Sequence, residues 1–277
     1  MSIILIVESG QQAPGRFEMI VQIYEIQTPR EAEEMIRLGV DHIGSVMLDP
    51  FPASRFDLKQ TVRTVQQAGF KSSLIPLFND VDAISRMVEE LRPDMLHLCE
   101  TLGCVEKERD VVFAALDRQR KLRERFPEIE LMRSIPIGQS GKADQCGTLK
   151  LAALFEPISD WFLTDTILSS DTPDEEKVQP VQGFIGITGV TCDWAVANAL
   201  VRSSRIPVVL AGGIGPHNVA DGIRKVKPAG VDSCTLTNTL DLQNRPIRFQ
   251  KDLEKVKSMV LAARGNDTAN HVASIPQ

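Results

Sequence analysis

The segment VVLAGGIGPHNVADGIRKV, residues 208–226, joins the three short patterns that decide the fold. Val208 to Leu210 form an apolar run that is typical of a buried strand, and the glycines at 212 and 213 favour a tight turn. Pro216 suits the start of a helix, and the apolar residues between His217 and Val226 recur at helical spacing. The segment is therefore predicted to be one strand–helix unit of a parallel sheet.

The same unit recurs along most of the chain. Apolar runs predict strands at Val21–Ile26, His42–Met47, Ser73–Phe78, Met95–Leu98, Leu131–Ile135, Trp161–Thr164, Val208–Leu210 and Val231–Cys234. Helices are predicted at Thr28–Gly39, Leu58–Ala68, Asp80–Leu91, Val105–Phe126, Leu149–Phe155, Trp194–Ser203, His217–Val226 and Lys251–Ala263. This strict alternation favours an α/β fold, the closed (β/α)8 TIM barrel, with an open doubly wound sheet as the alternative. A dinucleotide-binding open sheet needs Gly-x-Gly-x-x-Gly after its first strand, and residues 22–28 contain no glycine.

The barrel is predicted to be a single domain at residues 17–264. Residues 1–16 form an N-terminal extension with a short extra strand, expected to be a lid on the barrel bottom or a homodimer contact. Residues 265–277 are polar and predicted to be a flexible tail. The segment at 166–182 is longer than an ordinary connection and contains DTPDEE at 171–176, so it is either a mobile active-site lid or a solvated surface.

The composition argues against nucleic-acid and membrane partners and favours a cytoplasmic location. Of the 277 residues, 43% are hydrophobic and 25% are charged, as in soluble globular proteins. The net charge of −6 gives no general attraction to nucleic acid or to an anionic membrane, and no apolar stretch predicts a membrane span or a signal peptide. The five cysteines are scattered and form no Cys-x-x-Cys pair, so we expect a cytoplasmic protein without a disulfide framework or a metal site. We predict no cofactor.

In a barrel, catalytic groups lie at the carboxyl ends of the strands. The double glycine at 212–213 lets a ligand approach the backbone, and the helix that follows suits a phosphate; the alternative is a merely tight strand–helix turn. A second glycine- and threonine-rich loop, Gly186–Thr191, supports a small phosphorylated substrate. Asp165 at the end of strand six is a candidate general acid or base, or else a helix cap. Arg55 is a candidate anion ligand, or else a surface arginine.

Several motifs at these loops resemble those of the phosphoribosylanthranilate isomerase family, and the likeness runs from about Val21 to Arg264. The two most specific are GITGVTCDW at 186–194, which is similar to the family's GGTGKTFDW, and AGGIGPHNV at 211–219, which is similar to AGGLxPxNV. Weaker likenesses are QIYEI at 22–26 to KICGI, GVDHIGSVM at 39–47 to GADxIGFVF, HLCE at 97–100 to QLHG, and LTDT at 163–166 to LLDT.

The resemblance implies a tryptophan-pathway isomerase, in which an acid opens the sugar ring and a base removes the C2 proton in an Amadori-type aldose–ketose rearrangement. The acid would be Asp165, and Arg55 would hold the anthranilate carboxylate. Substrate contacts would come from both glycine-rich loops and the end of strand eight, at Thr188, Gly189, Thr191, Gly212, Gly213, Cys234 and Thr235.

The chain departs from the family at several working positions. Tyr24 stands where the family has its strand-one cysteine base, and a phenol with an ordinary pKa near 10 is a poor base at neutral pH. Glu25 is the other candidate base, although strand alternation directs it to the opposite face. Gln22 and Val190 replace lysines, and Leu236 replaces a glycine at the phosphate site. Two alternatives therefore stay open: a paralogue with another small phosphorylated substrate, and a non-catalytic ligand-binding barrel.

Overall fold

The structure is a computed structural model that describes residues 19–50, 55–103, 108–141, 147–168 and 179–265. The predicted extension at 1–16, the acidic stretch at 171–176 and the tail from residue 266 lie outside the described residues, and so does the side chain of Arg55. Among the described helices, none combines the length and the apolar composition that a membrane span requires.

Eight parallel strands close into a barrel, which confirms the predicted (β/α)8 fold. The strands are β1 (Ile20–Ile23), β2 (His42–Met47), β3 (Lys71–Pro76), β4 (Met95–Leu98), β5 (Glu130–Gly138), β6 (Trp161–Ile167), β7 (Val208–Leu210) and β8 (Gly230–Ser233). Each strand pairs with the next, and the β1–β8 pair closes the barrel with Gln22 opposite Asp232. Strand β6 runs past the predicted end at Thr164 because Asp165 pairs in register with Pro136 of β5. This extension places Asp165 within the strand.

The helices surround the barrel in the predicted order. They are α1 (Pro29–Leu38), α2 (Arg55–Gln67), α3 (Val81–Leu91), α4 (Arg109–Arg125), α5 (Thr148–Phe155), α6 (Trp194–Ser203), α7 (Val219–Val226) and α8 (Leu253–Ala263). The predicted capping box of α1 is confirmed, since Thr28 and Glu31 bond each other's backbone amides, and Gly39 ends the helix in the left-handed conformation. Asp80 caps α3 as predicted.

Helix α7 begins two residues later than the sequence pattern predicts. The Asn218 side chain fixes the turn, because its Nδ2 donates to the Gly213 carbonyl at 2.8 Å and its Oδ1 accepts from the Gly215 amide at 2.9 Å. The backbone is thus held in a turn through Asn218, and the first helical residue is Val219.

A hairpin between β8 and α8 was not predicted. Its strands, β9 (Asn238–Leu240) and β10 (Pro246–Lys251), are antiparallel. In β10 the apolar Ile247 and Phe249 alternate with Arg248 and Gln250, but this alternation spans only four residues and was passed over in favour of a helix from Lys251. The hairpin is docked on the barrel by Glu25, which accepts hydrogen bonds from Arg248 Nε at 2.7 Å and from the Phe249 amide at 3.1 Å.

Arg133 is a buried cation on the outward face of β5. Its side chain has no solvent exposure, and its Nη1 lies 2.6 Å from Oε2 of Glu100. The Nε of Arg133 donates to Gln119 at 2.7 Å, and the guanidinium stacks on the Phe155 ring. Burial raises the pKa of Glu100, but the charge and hydrogen bonds of Arg133 together with the Arg118 charge outweigh burial and leave this pKa below its ordinary value. Glu100 and Arg133 therefore form a fully paired ionic contact between the barrel and its helices.

Candidate active site

Asp165 lies at the carboxyl end of the barrel, where the sequence predicted a catalytic group. One of its oxygens accepts a hydrogen bond from the Thr166 amide at 2.8 Å, and the other lies beside Gly186 in the loop after β6. A Cβ at Gly186 would come within 2.5 Å of Asp165 Oδ2, so only glycine fits there. Burial raises the pKa of Asp165 to about 7, and the hydrogen bond from the Thr166 amide only partly offsets this rise. This carboxyl group is therefore poised to exchange a proton near neutral pH.

Asp232 of β8 is a second buried carboxyl group at the same place, and sequence reasoning missed it. It lines both cavities that Asp165 lines, and Oδ1 accepts from Gln22 Nε2 at 3.1 Å. Burial raises the pKa of Asp232 to about 7; Gln22 and the Lys251 charge lower it, whereas Asp165 raises it further. The available signal was an aspartate inside a predicted strand, but only residues at the ends of strands were considered as candidates.

Tyr24 points into the barrel and is tied to its interior. Its hydroxyl lies 2.5 Å from Ser73 Oγ and 2.9 Å from His97 Nδ1, and His97 Nε2 lies 2.8 Å from Ser134 Oγ. The ring lies so close to Gly44 that a Cβ there would come within 2.0 Å of it. Burial raises the pKa of Tyr24 well above 10, so its hydroxyl stays protonated.

Glu25 reaches the cavity in spite of its position one residue after Tyr24. Strand β1 ends at Ile23, and Glu25 has a left-handed backbone with φ of 69°, which releases it from strand alternation. Burial raises its pKa, but Lys251, the Phe249 amide and Arg248 together outweigh burial, so the net shift is downward. Glu25 is therefore an ionised anchor of the β9–β10 hairpin.

The two glycine-rich loops pack against each other as one unit. A Cβ at Gly213 would lie 2.4 Å from the Thr191 nitrogen, and one at Gly212 would lie 2.4 Å from Thr166 Oγ1. Thr191 Oγ1 reaches the Gly213 carbonyl at 3.5 Å. Both glycines also have positive φ, of 82° and 60°. Close backbone contact and turn geometry are thus enough to require glycine at 212 and 213.

A small cavity opens between these loops and the end of β8. It has a volume of about 40 Å³, which is room for roughly three water molecules. Most of the predicted substrate contacts line it, namely Thr188, Gly189, Gly212, Gly213, Cys234 and Thr235. Leu236 also lines it, because its side chain packs against Gly215 and Gly189. The structure therefore brings the predicted phosphate-site residues together, with an apolar side chain at one edge.

The mouth of the barrel is covered by residues 183–185, which belong to the described part of the loop that follows β6. Two main-chain hydrogen bonds of 2.9 Å attach it to the end of β4, from the Ile185 amide to the Cys99 carbonyl and from the Thr101 amide to the Gly183 carbonyl. The buried side chains of Phe184 and Ile185 enter an apolar cluster with Tyr24, Val46, Ile75 and Cys99. A cavity of about 50 Å³ remains beneath, lined by Asp165 and Asp232 among others.

Arg55 occupies the first residue of α2, and its side chain lies outside the described residues. Glu100 is held in ion pairs with Arg133 and Arg118. Within the parts of the chain that the structure describes, no group of three or more His, Cys, Asp or Glu side chains is placed to hold a metal ion.

Comparison with known proteins points to one family. The family model described as N-(5'phosphoribosyl)anthranilate (PRA) isomerase matches residues 138–235, which include Asp165, both glycine-rich loops and Asp232. The N-(5'-phosphoribosyl)anthranilate isomerase of Methanocella arvoryzae is 29% identical over 138 residues, so this chain spans about half of it, with 50% of this chain and 52% of that relative covered. The isomerase of Rhodopseudomonas palustris is 27% identical over 90% of this chain and 97% of its own length.

Solved structures of this family share the fold. The crystal structure of phosphoribosyl anthranilate isomerase from Thermotoga maritima superposes with a TM-score of 0.63 at 18% identity. The superposition covers 89% of this chain and 99% of the Thermotoga chain. The family resemblance of the glycine-rich loops therefore coincides with a shared barrel around them.

Proposed function

Because the chain belongs to the N-(5'-phosphoribosyl)anthranilate isomerase family, we propose that it catalyses an Amadori-type rearrangement of a phosphoribosyl amine to a 1-deoxyribulose amine. Asp165 carries the proposal. It is buried at the carboxyl end of β6, it has a pKa of about 7, and it lies between the central cavity and the glycine-rich cavity. A carboxyl group that is still partly protonated at neutral pH suits the general acid that opens a sugar ring.

The glycine-rich cavity is the proposed phosphate site. Its lining is small and polar at Thr188, Gly189 and Thr235, and it opens beside Asp165. Because Val190 and Gln22 replace the family's lysines, the phosphate would be held by hydroxyl groups and backbone amides. Arg55 remains the proposed ligand of the substrate carboxylate.

Neither of the two candidates that follow β1 is proposed as the base. Tyr24 stays protonated and its hydroxyl is engaged with Ser73 and His97. The Glu25 carboxylate is ionised but is neutralised by Arg248 and by hydrogen bonds from the hairpin, which makes it a weak proton acceptor. The base of the reaction is therefore to be sought elsewhere in the cavity.

The covered mouth sets a second requirement. The central cavity of about 50 Å³ is far below the roughly 300 Å³ of small-molecule sites. Substrate entry therefore requires the segment around Phe184 and Ile185 to leave the apolar cluster. Glycines at 183, 186 and 189, all with positive φ, flank the apolar pair and are suitable pivots.

The proposal is tested by turnover of phosphoribosylanthranilate, generated in place from anthranilate and phosphoribosyl pyrophosphate and followed by loss of its fluorescence. We expect turnover by the wild type and a loss of at least 100-fold in kcat for Asp165→Asn. Asp221→Asn, at an exposed position of α7, is the matched control and should behave as wild type. Growth of an isomerase-deficient tryptophan auxotroph should follow the same order. A wild-type protein that neither turns over the compound nor supports growth would refute the proposed reaction and favour another phosphorylated substrate or a binding role.

A further inference from the structure

Tyr24 leaves the proposed reaction without a base at the end of β1, and the assignment of another base rests on the proposed function. The base must face the cavity that holds Asp165, must lie near β1, and must have a lone pair not committed to a strong partner. Strand β1 pairs with β2 and with β8, and the β2 residue that lines the cavity, Val46, has no proton-accepting side chain. The candidates therefore come from β8, where Asp232 lies opposite Gln22. The inward groups of β8 at this level are Asp232 and, two residues later, Cys234; both line the central and the glycine-rich cavity.

We propose that Asp232 is the general base of this barrel, so that the proton-accepting group has moved from β1 to the adjacent β8. One oxygen of Asp232 is oriented by Gln22, at 3.1 Å. The described residues offer no hydrogen-bond donor to its other oxygen, which leaves a lone pair for a substrate proton. Gln22 is itself held by His42, whose Nδ1 lies 3.3 Å from Gln22 Oε1. The carboxylate is thus positioned through its neighbours on two strands.

The charged surroundings separate the roles of the two aspartates. The Lys251 charge favours the ionised form of Asp232, although Lys251 also lies 3.9 Å from Glu25 and donates to the Cys234 carbonyl at 2.8 Å. Arg248 and Arg133 are paired with Glu25 and Glu100. Among the described residues, Asp165 accepts a hydrogen bond only from the Thr166 amide. Because burial raises the pKa of both aspartates to about 7, the pair shares about one proton near neutral pH. In the proposed mechanism that proton lies on Asp165, the acid, and the negative charge lies on Asp232, the base. Burial raises the pKa of the Cys234 thiol to about 12, so Cys234 is protonated and is the weaker candidate.

The reaction balances with these two groups alone. Asp165 gives its proton to the ring oxygen as the C1–O bond breaks, and the nitrogen lone pair forms the C1–N double bond. Asp232 then takes the C2 proton, the C2–H electron pair forms the C1–C2 double bond, and the C1–N π pair returns to nitrogen. In the last step Asp232 returns a proton to C1 while the C2 hydroxyl gives its proton to Asp165. Both aspartates end as they began, and no oxidant or reductant takes part.

The test compares Asp232→Asn, Asp232→Glu, Asp165→Asn and Cys234→Ser with substrate carrying deuterium at C2 of the ribose. We expect kcat to fall at least 100-fold in Asp232→Asn, with a smaller change in KM, and to recover in part in Asp232→Glu. In Asp232→Asn proton removal becomes rate-limiting, so the isotope effect on kcat should rise above that of wild type. In Asp165→Asn ring opening becomes rate-limiting, so the isotope effect should approach one.

The pH profile gives an independent readout. Wild-type kcat/KM should be bell-shaped around pH 7, and the acidic limb, which reports ionisation of the base, should disappear from the residual activity of Asp232→Asn. The groups that face Asp232 in this titration are Asp165, Tyr24, Lys251, Cys234 and the Glu25–Arg248 pair. Thermal melting of each variant identifies a loss of activity that comes from a loss of folding. If Asp232→Asn does not fold, the isotope effect on kcat of Asp232→Glu is used instead, and a value above that of wild type supports Asp232 as the base.

The outcomes separate this inference from the proposed function. Wild-type turnover that survives in Asp232→Asn, or an isotope effect that rises in Cys234→Ser instead, overturns the assignment of Asp232 and leaves the isomerase intact. A wild type without turnover overturns the isomerase and the base together. Turnover that is lost in Asp232→Asn with a raised isotope effect and a missing acidic limb supports both.

Discussion

Replacing Glu100 by alanine should be among the most destabilising single changes in the barrel. The change leaves the Arg133 guanidinium buried with no solvent exposure and without its carboxylate partner, which lies 2.6 Å away in the native protein. Removing one partner of a buried ion pair costs about 3–5 kcal/mol of unfolding free energy. Since 1 kcal/mol shifts the melting temperature of a domain of this size by roughly 2–4 °C, we expect Glu100→Ala to melt roughly 6–20 °C lower. Gln119 Oε1, at 2.7 Å from Arg133 Nε, is a neutral acceptor and does not replace the charge.

The measurement is urea unfolding followed by circular dichroism, with Asp221→Ala as the matched control. Asp221 pairs with Arg224 on the exposed face of α7, and losing such a pair costs less than about 0.5 kcal/mol. A double variant, Glu100→Leu with Arg133→Met, removes both charges and should regain most of the lost stability. If Glu100→Ala loses less than about 1 kcal/mol, or if the double variant is no more stable than the single one, the reasoning is refuted.

The same pair predicts the direction of acid sensitivity. Because the folded-state pKa of Glu100 lies below its ordinary value, its contribution is fully present above the unfolded-state pKa of roughly 4.3. It is then lost as the pH falls through the lower folded-state pKa. The stability difference between wild type and Glu100→Ala should therefore be constant near neutral pH and shrink below about pH 4.

Three further changes probe the site. Residue 213 has a left-handed backbone, and a Cβ there would lie 2.4 Å from backbone atoms, so Gly213→Ala should lower the free energy of unfolding in urea by at least about 2 kcal/mol. Gly69 also has a positive φ but open space around it, so Gly69→Ala should lower this free energy by about 1 kcal/mol. Phe184→Ala removes the largest side chain of the mouth cover and should speed reaction of the Cys99 thiol with a maleimide at least tenfold; an unchanged rate would contradict the covered mouth. Tyr24→Phe leaves two buried polar partners unsatisfied and should cost about 1–3 kcal/mol of stability while retaining turnover, and a 100-fold loss of kcat would make Tyr24 catalytic.

Local sequence signals gave most of the barrel because strand–helix units are specified locally. The Thr28–Glu31 capping box, the Asp80 cap and Gly39 fixed helix ends through contacts within a few residues, and these were read correctly. The errors lie where contacts from distant residues decide the backbone. Asp165 continues β6 only because β5 pairs with it, and the β9–β10 hairpin is held by Glu25, more than 200 residues earlier in the chain.

The site divides in the same way. The predicted phosphate residues share one cavity, since the glycine-rich motifs bring their own turn geometry. The cover formed by Phe184 and Ile185 was not foreseen, because an apolar dipeptide in a loop looks the same whether it packs over a barrel mouth or against a helix. Asp232 was missed because the residues near it in sequence do not show that β8 pairs with β1, nor that Asp232 lies on the inward face of β8.

The change at position 24 and the role of β8 follow from one packing constraint. A tyrosine in the strand-one position needs the space that Gly44 leaves, and its hydroxyl needs partners, which His97 and Ser73 supply. Because the Tyr24 ring fills this space, the remaining acceptor at the end of β1 is Glu25, which reaches the cavity through its irregular backbone. The Glu25 carboxylate, however, is bound by Arg248 and the Phe249 amide of the hairpin. The carboxylates that line the central cavity are those of Glu25, Asp165 and Asp232. Glu25 is held in an ion pair, so Asp232 of the neighbouring strand β8 is the remaining candidate besides Asp165. The loss of the strand-one thiol therefore does not by itself imply the loss of proton transfer, because the barrel's closure brings an acceptor on β8 next to the same place.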